Sequence, residues 1–196
     1  MPDRPPHPSV VVSDARALRA LAHPLRNRLL ALLRRDGPST ATVLGRAVGE
    51  SSGSTSYHLR QLAAHGFIED APGQGRGRER VWRARHRLTS WEAGDLLRHP
   101  GGREVAEEML HRQLDAHARL LEAWTEQRDD LGPSWRAASS LSDAALRMTP
   151  AQARALADEL GEVLARHLAA HDPAVPAPDS ELVAVLLDVL PLRAWP

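Results

Sequence analysis

At 196 residues, 42% of them apolar, the chain is long enough to bury one large core or two small ones, and without cysteine it has no disulfide, thiolate metal site or thiol nucleophile. All 25 basic residues are arginine and they balance 25 acids, but unevenly: residues 1–88 carry 15 Arg against 7 acids, residues 89–196 carry 10 against 18. A basic half joined to an acidic half points to a polyanion-binding unit attached to something with another task, and no apolar run reaches the roughly 18 residues of a membrane-spanning helix.

The opening MPDRPPHPS is proline-rich without an apolar run, so residues 1–12 read as a disordered arm rather than a signal peptide, which places the protein in the cytoplasm. Ser13 is expected to cap a short helix, DARALRALA, broken at His23-Pro24. Proline at a first helical position then starts LRNRLLALLRRDG, whose Leu25, Leu29, Leu32 and Leu33 share one face and whose Gly37-Pro38 ends it. Ser39 is expected to cap the next helix, TATVLGRAVG, and Gly49 makes the turn that follows. Ser51 or Ser52 then caps a helix up to Gly66, the residue type that supplies a left-handed stop. In this helix Thr55, Leu59, Leu62 and Gly66 form a narrow inward stripe, while Ser52, Ser54, Ser56, Tyr57, Arg60 and Gln61 point largely outward. Beyond it FIEDA and ERVWRAR flank PGQGRGR, a long hairpin with a cationic tip carrying Arg76 and Arg78, with Arg80 just past it. Helix, short glycine turn, helix and hairpin make a winged helix-turn-helix.

The runs LAHPLRNRLLALL, TATVLGRAVGESSGSTSYHLRQLAAHGFIED and GRGRERVWR resemble the winged helix-turn-helix repressors of the ArsR type, and the chain is similar to the actinobacterial-style members with a long C-terminal extension. The resemblance covers about residues 14–88; WRAASSLSDAALRMTPAQ and ELVAVLLDVLPLR are similar to such extensions, less specifically. It implies DNA binding by the residues after the turn and by the wing tip, here Ser54, Ser56, Tyr57, His58 and Arg60 with Arg76 and Arg78, and it alone implies repression.

In the acidic half, Thr89-Ser90-Trp91 is expected to open a helical region interrupted at His99-Pro100-Gly101-Gly102. One long helix follows from Arg103 to about Asp130, stopped by Gly132-Pro133. Residues 144–148 read as a short strand, Thr149-Pro150 starts a helix to about His171, and residues 182–190, apolar on both faces, read as a buried strand with helix as the alternative. The expected architecture is mainly α (α+β): an arm over 1–12, a winged helix-turn-helix over 13–88, and a mostly helical dimerisation or effector domain over 89–196.

The major groove of B-DNA admits one helix and displays base edges to it. The helix over 51–65 is therefore the reading element, with Ser52 and Gln61 added to the residues above. The wing over 72–80, including Arg80, suits the backbone or the minor groove, and Thr40 can offer a backbone N–H and a hydroxyl to phosphate. One helix reads too little sequence, so a homodimer on a pseudo-palindrome is expected, its helices about 34 Å apart.

Rival readings fall short in the residues themselves. Gly49-Glu50-Ser51-Ser52-Gly53 matches the G-x-S-x-G nucleophile elbow but lacks the strand that elbow needs, and no catalytic constellation supports an enzyme. Gly73, Gly75 and Gly77 lack dinucleotide spacing, since Arg78 stands where a third glycine belongs. His111, Asp115 and His117 could begin a metal-responsive site, but its companion half is missing: position 128 is Arg. No cofactor is expected. Trp91, Trp124 and Trp135 could line a pocket for a small organic effector. A winged helix that binds proteins rather than DNA is the other alternative, and it would have no need of an arginine-bearing tip.

Overall fold

The computed structural model describes residues 7–12, 14–71, 79–91, 96–98, 100–173 and 175–193. Strand β1 (His7–Val12) leads into helices α1 (Ala15–Ala22) and α2 (Pro24–Arg35). Next come β2 (Ser39–Thr40), α3 (Ala41–Val48), α4 (Ser52–Ala64) and the strands β3 (Ile68–Asp70), β4 (Val81–Ala84) and β5 (His86–Trp91). Helices α5 (Gly102–Gln127), α6 (Pro133–Ala138) and α7 (Pro150–Ala170) complete the order.

Local chemistry explains most of the boundaries. Asp14 rather than Ser13 caps α1, its carboxylate accepting from Arg16 N at 3.0 Å. Thr40 rather than Ser39 caps α3, its Oγ1 accepting from Val43 N at 3.3 Å, while Ser39 is taken up in β2. Ser51 caps α4. Gly49 (φ 77°) and Gly66 (φ 75°) occupy the left-handed region that L side chains rarely adopt, and so end α3 and α4. Thr149-Pro150-Ala151-Gln152 forms a capping box for α7: Thr149 Oγ1 accepts from Gln152 N and Gln152 Oε1 accepts from Thr149 N.

The chain divides into two units, residues 1–110 with 165–180, and residues 111–164 with 181–196. In the first, β2, β4 and β3 form a three-stranded antiparallel sheet beside α2–α4. Leu18, Leu29, Leu30, Leu59, Leu62 and Leu96 are fully buried and join Phe67, Ile68, Trp82 and Val105 in one core. Each such side chain contributes about 1.5–3 kcal/mol relative to exposure.

Residues 7–12 do not behave as the disordered arm expected for 1–12. They pair in parallel with β5, Val10 opposite Thr89 and Val12 opposite Trp91, so residues 89–91 end a strand rather than open a helix. Arg34 fastens α2 to β5, Nε donating to the His86 carbonyl at 2.9 Å and Nη2 to Thr89 Oγ1 at 2.5 Å; burial pushes its pKa down to about 10.

In the second unit the rest of α5, α6 and most of α7 are helical, as expected. Residues 144–148 and 182–190 are neither strand nor helix, and instead of a buried strand the latter run is largely exposed. Both readings rested on apolar residues finding a neighbour to cover them. Among the described residues these segments have no strand partner, so the apolar side chains remain on the surface.

Candidate nucleic-acid interface

Helices α3 and α4 meet at a close approach that the sequence permits at one residue. A Cβ added at Gly45 would stand 2.8 Å from the Glu50 carbonyl oxygen and 2.9 Å from Thr55 Oγ1, so glycine lets the turn fold back onto α3. Thr55 is fully buried, its hydroxyl donating to the Ser51 carbonyl at 2.9 Å, and Leu59 and Leu62 continue the same stripe inward. One side of α4 is thereby fixed in the core.

The opposite side is left open. Ser52, Tyr57 and Arg60 are exposed, and Ser54, Ser56 and Gln61 are half-buried. Gly53, not singled out from sequence, adds to this face a position where a Cβ would meet nothing within 4 Å. A flat exposed glycine next to short hydroxyl side chains allows close approach of a second surface. His58 departs from this set: its ring lies 4.5 Å from that of His23 and edge-on to Tyr57 at 5.2 Å, and its Nδ1 is buried without a hydrogen-bond partner. Burial, then the positive charges of His23 and Arg26, hold its pKa below the usual histidine range. Ser51, centre of the G-x-S-x-G match, caps a helix that another helix precedes, its Oγ accepting from Ser54 N at 3.2 Å, and so lacks the strained strand-to-helix setting of a nucleophile.

Thr40 stands at the N-terminus of α3 with its hydroxyl in the cap, and Thr42 two residues on donates to Glu79 at 2.8 Å, tying α3 to the base of the wing. The wing strands pair with Asp70 opposite Trp82. Arg80 is held at that base, its Nε 2.7 Å from Asp70 Oδ2 and its guanidinium 4.1 Å above the Trp82 ring. Glu69 lies 3.0 Å from Arg83 and 3.6 Å from Arg85. These exposed pairs add little stability, but they commit the strand arginines to acids. Arg76 and Arg78 lie outside the described residues.

The tryptophans do not share one unit. Trp91 packs on the core from β5, whereas Trp124, under the Arg128 guanidinium at 5.7 Å, and half-buried Trp135 belong to the second unit. His117 Nδ1 lies 3.1 Å from Asp188 Oδ2, and Asp188 also accepts from Gln113 at 2.7 Å, so His117 is engaged by a partner far along the chain rather than by His111 and Asp115. Among the described residues no three His, Asp or Glu converge as a metal site.

A family model described as a helix-turn-helix domain matches residues 21–71, from the end of α1 to just past β3. This part of the chain is similar to that helix-turn-helix family. The match covers α2, α3, α4 and the turn between the last two, the residues over which the sequence reads as helix-turn-helix. Among solved structures, a homodimeric winged helix-turn-helix DNA-binding domain from Mycobacterium bovis, described as a possible ArsR-family transcriptional regulator, is 23% identical with a TM-score of 0.35, over 54% of this chain and 79% of that one. RV1404 from Mycobacterium tuberculosis is 17% identical with a TM-score of 0.33, over 76% of this chain and 83% of that one. At such scores neither bears weight on the fold, which rests on the elements above. A comparison with curated proteins finds no match. No helix among the described residues is long and apolar enough to cross a membrane.

Proposed function

We propose that the protein is a cytoplasmic, homodimeric repressor that reads a pseudo-palindromic operator through the outer face of α4, steadied by the wing tip, and that it acts by binding rather than by catalysis. The observation that carries this reading is the two-sidedness of α4: Thr55, Leu59 and Leu62 lock it into the core, while Ser52, Gly53, Ser54, Ser56, Tyr57, Arg60 and Gln61 present a low, polar surface to the outside. Short hydroxyls reach phosphates or base edges at close range; Tyr57 and Arg60 reach further, and Arg76 and Arg78 suit the flanking backbone. His58 serves by holding α4 against His23 on the N-terminal side of α2.

The dimer is supported by the second unit, which leaves Leu114, Leu141, Leu146, Leu182, Val185 and Leu190 each at least half exposed. Large apolar side chains exposed in this number favour association with a partner. A two-fold partner bringing the same surface would cover it and set two copies of α4 about 34 Å apart. A small organic effector bound in this unit would act by changing that spacing.

The test is binding of the full chain to DNA across a salt series. Each phosphate neutralised contributes about −0.9 to the slope of log affinity against log salt. The double variant Arg76→Ala with Arg78→Ala is expected to weaken binding to all sequences and to flatten the slope by about two. An unchanged slope would remove the wing from the interface.

A further inference from the structure

The DNA-directed surface leaves one strongly charged feature of the first unit unused. Arg16, Arg19, Ala20, Arg26 and His65 line an open depression of about 300 Å³. Its make-up follows from three local features. Spacing of i, i+3 puts Arg16 and Arg19 on one face of α1. Pro24 begins α2, so Arg26 falls in that helix's first turn, and the left-handed Gly66 stops α4 with His65 at its end.

Every polar residue of the lining is a cation or can become one. Some arginines of the unit have acids: Arg80 has Asp70, Arg83 has Glu69 and Arg35 has Asp36, whereas Arg34 and Arg87 donate to uncharged oxygens. Arg16, Arg19 and Arg26 have no ion pair among the described residues. Arg19 donates to the Gly101 carbonyl and Arg26 to the Arg19 carbonyl, each at 3.3 Å, and both acceptors are uncharged. Two acids come near: Asp14, whose Oδ1 accepts from the Arg16 backbone N at 3.0 Å, and Glu104, whose carboxylate and the Arg19 guanidinium both lie within 4 Å of where a Gly101 Cβ would stand.

Arg26 Nε is buried without a hydrogen-bond partner, and so are Nδ1 of His23 and of His58. A buried donor left unpaired costs about 1–3 kcal/mol, and like charges gathered without a counter-charge repel. The positive field is felt at His58, whose proton affinity the charges of His23 and Arg26 reduce after burial has done so.

We propose that this depression is a seat for a phosphate-type oxyanion, separate from the α4 face and the wing. Guanidinium forks match tetrahedral oxyanions with paired N–H donors, and the lining brings together two arginines from α1 and one from α2. The anion can come from either of two sources, a backbone phosphate of DNA reaching past α4 or a free phosphate-bearing small molecule.

The test uses the full chain, the double variant Arg16→Gln with Arg19→Gln, and Arg103→Gln, an exposed arginine on α5, as control. Both substituted α1 residues are exposed, so all three proteins are expected to fold. Inorganic phosphate is titrated without DNA at constant ionic strength, and the DNA salt slope is measured separately. Phosphate binding that weakens at least fivefold in the double variant, but not in the control, supports the seat. If the DNA slope is then unchanged the source is a free anion; if it flattens by about one, the source is backbone phosphate. A flattened slope without measurable phosphate binding supports the backbone source alone. Phosphate binding equal in all three proteins, or no phosphate binding together with an unchanged slope, overturns the proposal. Because the phosphate titration needs no DNA, it decides the matter even for a chain that binds none.

Discussion

The two units solve the problem of apolar surface in opposite ways. In residues 1–110 with 165–180, leucines from four helices and aromatic residues at both ends of the wing meet in one core, and every buried residue of the described chain belongs to this unit. In residues 111–164 with 181–196, none is buried, and Leu141, Leu146, Leu182, Val183 and Leu190 are all at least 60% exposed. Helix formation satisfies the backbone of α7, and of α5 beyond Leu110, without burying an apolar side chain there, so local structure and a core are separate achievements. The first unit completes both; the second, among the described residues, completes only local structure.

That contrast can be broken most sharply by truncating a leucine on each side. Leu62→Ala should lower unfolding free energy by about 2–5 kcal/mol, read from urea denaturation, because it empties a fully buried site. Leu182→Asp with Val185→Asp should cost the first unit less than about 0.5 kcal/mol yet shift sedimentation toward the monomer. A drop in stability of the first size from the second pair would erase the distinction. Next in effect is Gly45→Ala, expected to cost about 1–3 kcal/mol as the added Cβ drives the Glu50 carbonyl and Thr55 apart, and to weaken DNA binding through the displaced α4. Ser51→Ala should cost about 1 kcal/mol by leaving Ser54 N–H uncapped, with the far end of α4 unaffected in hydrogen exchange.

The smallest effect concerns pH. The folded state holds His58 below its ordinary value of 6.5, so the unfolded chain binds the proton more readily. Its contribution to stability is therefore fully present above about pH 6.5 and declines as pH falls from there toward the folded pKa. His58→Gln should flatten the acid side of the stability profile. An unchanged profile would contradict the lowering of the His58 pKa by burial and by its positive neighbours.

How legible each unit was follows the same division. Pro24, Gly49, Gly66 and the stripe Thr55, Leu59, Leu62 act within a few residues of themselves, so α2, α3, α4 and their turn could be read directly. The capping residues were ambiguous by one position, because Ser13 or Asp14 and Ser39 or Thr40 offer equivalent oxygens and the backbone path alone chooses. Strand β1 was hidden because its partner lies about 80 residues away in β5, and no periodicity in 7–12 announces a parallel neighbour. Trp91 was drawn into that pairing against a local pattern that resembled a helix start. For residues 182–190 the apolar pattern was correctly seen, but burial needs a strand partner that no local pattern specifies, and among the described residues there is none. In the site, the open face of α4 was visible in its polar residues, whereas the turning of His58 toward His23 depends on α2 and could not be seen from α4 alone.

The most direct measurement is a footprint of the full chain on the DNA just upstream of its own gene, in excess non-specific competitor. Two protected half-sites about one helical turn apart, formed at a protein concentration where sedimentation gives a dimer, are the predicted result. No protection at low salt, or a single half-site bound by a monomer, would contradict the account.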